Sequence, residues 1–223
     1  MLGSMTYPLG GAFAFILPTL FLKDSDKLDP AAGKTHMRDY IFVQSLIVTA
    51  TSILMLIFFR SKPASPPTAS AVIERTDFCS GAKLLVCNGN YWVLTIAFMF
   101  YWSLYVSMGV VISQVTDLYN YPSSANAVIG SVYLLVGFIG SNLYTGLLFS
   151  KVKKFKFPIL LMMGISFAFL IATYFTFETG KTWLVTLMIS LAMAHLMPCF
   201  PMFLELGSEI AYPVSESTVN GFI

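Results

Sequence analysis

Three aromatic residues, Phe98, Trp102 and Tyr105, recur at i, i+4 and i+7 within the run YWVLTIAFMFYWSLYVSMGVVISQV. On a helix that spacing sets all three rings on one face. If the face borders a cavity, it suits an organic cation: a desolvated contact between a cation and a π face is worth roughly 2 kcal/mol, and quaternary ammonium groups are its usual guests. If the face meets lipid or a neighbouring helix, the rings are packing residues, and spacing alone leaves both readings open. Gln44, Gln114 and Asn142 are polar groups inside otherwise apolar runs and are candidate hydrogen-bonding partners for the same small molecule. His195 is the one ionisable side chain inside such a run. An ionisable group at that depth is a functional candidate by default, set against the plainer reading of a hydrogen-bonded packing histidine between Met193 and Met197.

A second constellation is acidic. FLELGSEIAYPVSES, residues 203–217, brings Glu205, Glu209 and Glu216 together around Tyr212-Pro213. Glu205 and Glu209 are one turn apart on one helix face. Pro213 disfavours a helical conformation at Tyr212, so the helix should stop there. Such acids can meet lysines or a helix N-terminus, or stand solvated at a helix end. No Ser/His/Asp set lies within the apolar runs, and the chain has no HExxH and no glycine-rich phosphate loop, so the sequence does not read as an enzyme and implies no cofactor. Cys79, Cys87 and Cys199 have neither the spacing nor the neighbouring His of a zinc site and read as free thiols.

These residues must be held by something that lives outside water. The chain is 57% hydrophobic and 11% charged, with a mean hydropathy of +0.76, against roughly 25% charged residues in a soluble domain. Six charge-free runs cover 1–22, 40–59, 91–115, 127–149, 157–177 and 183–204, and all 13 Lys/Arg and 11 Asp/Glu fall outside them. About 20 apolar residues cross a bilayer as a helix, and backbone in hydrocarbon must satisfy its own hydrogen bonds. The expectation is a multi-pass, all-α membrane protein of about six spans. Pro198 and Pro201 should bend or break the sixth. Gly130, Gly137, Gly140 and Gly146 line the fourth at near-helical spacing and would admit a close neighbour. A net charge of +2 is too small to suggest nucleic acid as a partner, and no Lys/Arg cluster is interleaved with an acceptor-rich polar surface.

The connections orient the set. Residues 60–90 open with RSKPASPPTASAVIER, which reads as a flexible linker, and 150–156 are SKVKKFK with four lysines. Cytoplasmic placement of both puts eight Lys/Arg inside and five outside, as the positive-inside bias requires. The chain opens directly inside an apolar run with no basic leader, which suggests a piece of something longer and not a signal peptide.

Two stretches carry a resemblance. Gly146-Leu-Leu-Phe-Ser-Lys151-Val-Lys-Lys154 follows the G-x-x-x-D-[RK]-x-x-[RK] loop of the major facilitator superfamily, with Ser150 where the pattern has Asp. Glu205-x-x-x-Glu209-x-x-Tyr212-Pro213-Val214-x-Glu216, followed by Gly221, resembles the signature after the tenth helix of solute carrier family 49, the feline leukaemia virus subgroup C receptor family. The opening MLGSMTYPLGG is similar to the fifth helix of that family. The resemblance implies a major facilitator helical bundle, incomplete at about six helices of twelve. Residues 1–59 would be the last two helices of the N-terminal half, 60–90 the linker between halves, and 91–223 helices 7 to 10 with the start of 11.

The remaining helices of a longer transporter would be this chain's partners, along with the bilayer and a small-molecule substrate. The resemblance further implies alternating-access transport of a small organic cation or amphipathic metabolite, similar to choline and ethanolamine carriers or to a proposed haem exporter. It also implies a gating role for Glu205, Glu209, Tyr212, Pro213, Glu216, Gly146, Lys151 and Lys154. The expected location is a membrane, the plasma membrane ahead of an endomembrane. The family's cavity-facing Tyr aligns with Phe98 and its helix-5 Gln with Pro8. The other reading is a non-transporting truncated membrane protein, receptor or scaffold.

Overall fold

The computed structural model describes residues 7–22, 24–27, 29–59, 77–149 and 155–223. The lysines Lys151 and Lys154 and the stretch 60–75 lie outside them. Among the described residues every regular element is a helix: α1 (Tyr7–Ile16), α2 (Pro30–Phe58), α3 (Phe78–Val86), α4 (Gly89–Leu118), α5 (Ser123–Phe149), α6 (Lys156–Phe177), α7 (Thr182–Leu196), α8 (Cys199–Ile210) and α9 (Glu216–Phe222). The chain forms two compact units, Pro18–Arg75 and the pair Met1–Leu17 with Thr76–Ile223. Helices α1 and α2, neighbours in sequence, therefore fall in different units.

The smaller unit is built on α2, which begins at Pro30 and not near residue 40, where the sequence places the span. Asp29 caps it, its carboxylate accepting from the Ala31 and Ala32 amides at 3.0 and 3.3 Å, and Pro30 occupies the first turn, where no amide donor is needed. The polar first turns extend the helix beyond its apolar stretch. His36 and Asp26 meet at 2.8 Å in front of it.

The larger unit is an antiparallel bundle of α4 to α8 with α1 against α5. Its core is at the α5–α7 and α6–α7 seams, where Ile129, Val185, Ile189, Ala192 and Met193 are fully buried. Hydroxyls inside the spans fold back on their own helix: Thr116, Thr173 and Thr186 donate to the carbonyls of Ile112, Phe169 and Thr182 at 2.8–2.9 Å. That is the local solution to a lack of water. Glycines set the closest approach. A Cβ on Gly140 would lie 2.8 Å from the Ala194 carbonyl oxygen, and one on Gly137 would lie 2.4 Å from the Met197 sulfur. Gly146, by contrast, faces open space.

Five of these segments are long and apolar enough to cross a membrane: Pro30–Phe58, Gly89–Leu118, Ser123–Leu147, Lys156–Phe177 and Thr182–Ile210. The sixth expected run differs. Within its described residues, 1–22 gives only α1 and a 3-10 turn at Leu17–Leu20, because Pro18 has no amide to continue the α-helical ladder. The run 183–204 breaks into α7 and α8 at Met197-Pro198, as its prolines require, and α8 stops at Ile210, ahead of Tyr212-Pro213.

The last part of the 60–90 segment is ordered in a way its composition does not announce. Helix α3 buries Leu85 against Tyr91, Ala211, Val214 and Val219. Asn88 uses both ends of its amide: the oxygen caps α4 by accepting from the Asn90 and Tyr91 amides at 3.1 and 3.2 Å, while the nitrogen donates to the Ile210 carbonyl at 3.1 Å. The Tyr91 hydroxyl donates to the Val219 carbonyl at 2.6 Å. One end of the bundle is thus tied from α3 through α4 to α8 and α9. At the other end the Tyr121 hydroxyl donates to the Phe177 carbonyl at 3.0 Å, so the turns at 116–126 and 178–182 sit together.

Gly140→Val should abolish recovery of monodisperse protein, because the contact it violates is with backbone that cannot rotate away, while Gly164→Ala, whose Cβ meets nothing within 4 Å, leaves yield unchanged; size-exclusion profiles in detergent decide this. Tyr91→Phe removes one buried hydrogen bond and leaves the Val219 carbonyl with the Ile223 amide alone; it should cost about 0.5–1.5 kcal/mol, read as a lowered melting temperature with the helical content intact.

Candidate functional site

Where α7 gives way to α8, the bundle leaves a cavity of about 280 Å3. Helix α4 supplies Tyr101, Trp102 and Tyr105, α5 supplies Phe138 and Ser141, α1 supplies Tyr7 and Pro8, and the helix break supplies Met197, Phe200 and Pro201. Two prolines create the break. Pro198 deprives the Ala194 carbonyl of its i+4 donor, and Phe200 turns back to the Met197 carbonyl at 3.2 Å in a tighter i−3 bond. The chain restarts as α8 with Phe200 pointing at the cavity. The Tyr101 hydroxyl meets the Phe200 backbone there.

The wall is aromatic. Trp102 has Tyr105 and Phe200 each at 5.3 Å between ring centroids, and Phe98 stacks behind it at 6.0 Å with planes 12° apart. Phe98 is itself held edge-on by Phe203 at 5.6 Å. No carboxylate or other charged side chain lines the cavity among the described residues, and no His/Cys/Asp/Glu group there could hold a metal ion. A neutral aromatic chamber of this kind favours weakly hydrated cations over hard inorganic ones, since a small ion loses more hydration than π faces return. At about 280 Å3, it is near the lower edge of small-molecule pockets, which run from about 300 Å3. A larger groove of about 590 Å3 between α4 and α6 is almost wholly apolar. Its Thr173 hydroxyl is already spent on Phe169.

The residues singled out from sequence scatter over the molecule. Trp102 and Tyr105 line the cavity, and Phe98 backs it without lining it. Asn142 adjoins the lining Ser141, but its amide donates to the Phe138 carbonyl at 2.8 Å. Gln114 is exposed on α4, and Gln44 is exposed on α2 in the other unit. Glu209 and Glu216 each lie within electrostatic range of Glu205, and Tyr212 and Pro213 are exposed.

His195 is a packing residue in its contacts. Its Nδ1 faces the Leu191 carbonyl at 2.8 Å. A carbonyl only accepts, so Nδ1 carries the proton and, in the neutral ring, Nε2 accepts from the Tyr144 hydroxyl at 3.2 Å. Phe169 stacks on its ring. Sequence reasoning missed Tyr7, Tyr101, Phe138 and Phe200. Phe200 carried a signal, an aromatic between two prolines in the middle of an apolar run. The others depend on which helix faces which.

Comparison with known proteins agrees with this architecture. Residues 2–223 match the family model of the Major Facilitator Superfamily. The chain is 26% identical to an uncharacterized MFS-type transporter of Caenorhabditis elegans over 100% of this chain and 38% of that protein. It is 24% identical to the choline/ethanolamine transporter flvcr2a of Danio rerio over 96% and 47%, and 27% identical to solute carrier family 49 member A3 of Xenopus tropicalis over 99% and 44%. It therefore spans less than half the length of these relatives. The match over almost its whole length, on a bundle of helices fit to cross a bilayer, makes this chain a multi-pass membrane protein belonging to the Major Facilitator Superfamily.

Proposed function

We propose that this chain forms the substrate-bearing part of an alternating-access transporter for a small organic cation of the choline and ethanolamine class. The observation that carries the reading is the face of Trp102, held between Tyr105 and Phe200 in a chamber whose described lining residues carry no charge. The printed name of the Danio rerio relative, a choline/ethanolamine transporter, supports the same class. In this reading residues 1–59 belong to one half of the carrier, 60–90 link the halves, and 91–223 belong to the other. Rocking of the halves about a midplane site is the general mechanism of such carriers. The break at Met197-Pro198 lies on the cavity wall and against Gly137 and Gly140 of α5, so flexing of the span there would be transmitted to the α5–α7 seam. The acids Glu205, Glu209 and Glu216, with Tyr212 and Pro213, Gly146 and the lysines Lys151 and Lys154, are the candidate gate at the cytoplasmic ends of the helices.

Uptake of radiolabelled choline by cells expressing the protein tests the proposal. Trp102→Ala should weaken apparent affinity roughly 30-fold, the equivalent of one desolvated cation–π contact, and adding Phe98→Ala should weaken it further by unseating what remains of the wall. Uptake that matches the unmodified protein in both variants, at equal surface expression, would falsify the aromatic site.

A further inference from the structure

Against the apolar lining, three phenols from three helices converge on one flank of the cavity. Tyr7 of α1 and Tyr105 of α4 lie 6.4 Å apart between ring centroids. Tyr133 of α5 brings its hydroxyl to Gly109, one turn along α4 from Tyr105, where an added Cβ would meet it at 3.5 Å. Tyr105 is within electrostatic range of both Tyr7 and Tyr133, and Tyr133 of Tyr7. Tyr105 is 7% exposed and Tyr133 2%, while Tyr7 is 60% exposed at the outer side of the cluster, and among the described residues none of the three hydroxyls has a hydrogen-bond partner. Other tyrosines of the bundle do: Tyr91 bonds Val219, Tyr121 bonds Phe177 and Tyr144 bonds His195. Three unpartnered phenols, Tyr7 and Tyr105 on the cavity wall and Tyr133 beside them, are what a ligand's own polar atom would complete.

We propose that the hydroxyls of Tyr7, Tyr105 and Tyr133 form an oxygen-recognition subsite that takes the alcohol group of an organic cation seated on Trp102. This rests on the cation reading above and adds the second point of attachment. A phenol both donates and accepts, so the cluster can accept the alcohol's proton and donate to its oxygen. A carboxylate is disfavoured as the guest. Among the described residues no cationic side chain lines the cavity to offset its desolvation.

Binding of choline, of its hydroxyl-free isostere propyltrimethylammonium and of glycine betaine, measured by radioligand displacement on membranes from cells expressing the protein, tests this. The unmodified protein should bind choline about three- to tenfold more tightly than the isostere, the range of one or two hydrogen bonds. Tyr105→Phe should reduce that preference. Tyr105→Phe with Tyr133→Phe should erase it while leaving the isostere's affinity within about twofold, a split that general unfolding would not produce. Equal binding of choline and the isostere by the unmodified protein overturns the subsite and leaves the aromatic wall standing. Tighter binding of betaine than choline overturns the choice of an alcohol. Binding of neither quaternary ammonium overturns the cation reading itself, and this subsite with it.

Discussion

The contact between Gly140 and the Ala194 carbonyl governs the geometry around the cavity. Ala194 loses its helical donor because residue 198 is proline, and a bare carbonyl in hydrocarbon is costly. Glycine at 140 lets the backbone of α5 close over it, near enough that a Cβ would sit 2.8 Å from the oxygen. The span can then break without exposing its backbone to lipid, and α8 can restart on a new axis with Phe200 turned inward. Shield and break are one device, and the chamber is its by-product.

The bilayer-length helices were plain in the sequence because charges are expelled from hydrocarbon and so mark the ends of the spans. The break in the last span was plain for a related reason, two prolines three residues apart. What composition hid was α3. Its run FCSGAKLLV is short and half polar, and it becomes helix by burying Leu85 against residues more than a hundred positions further on. The start of α2 was hidden because a capped, solvated helix extends past its apolar part, and hydropathy records only the apolar part.

The site was legible along α4 and obscure elsewhere. The i, i+4, i+7 spacing of Phe98, Trp102 and Tyr105 fixes a shared face whatever surrounds it, and two of the three reach the cavity. The third lends rigidity, since a ring stacked behind Trp102 holds its indole flat to the chamber. Gln114 and Asn142 show the limit of residue type as evidence. One is exposed, and the other folds back on its own helix. Tyr7 and Tyr133 could not be named beforehand, because their approach to Tyr105 depends on the packing of α1 against α5.

The absence of a carboxylate from the described cavity wall has an energetic corollary. In the reading proposed above, a quaternary ammonium seated there would meet no fixed negative charge from the described wall, so its passage would carry net charge. Each elementary charge crossing the full field exchanges about 2.3 kcal/mol per 100 mV. On that reading, a membrane potential would act directly on such a passenger.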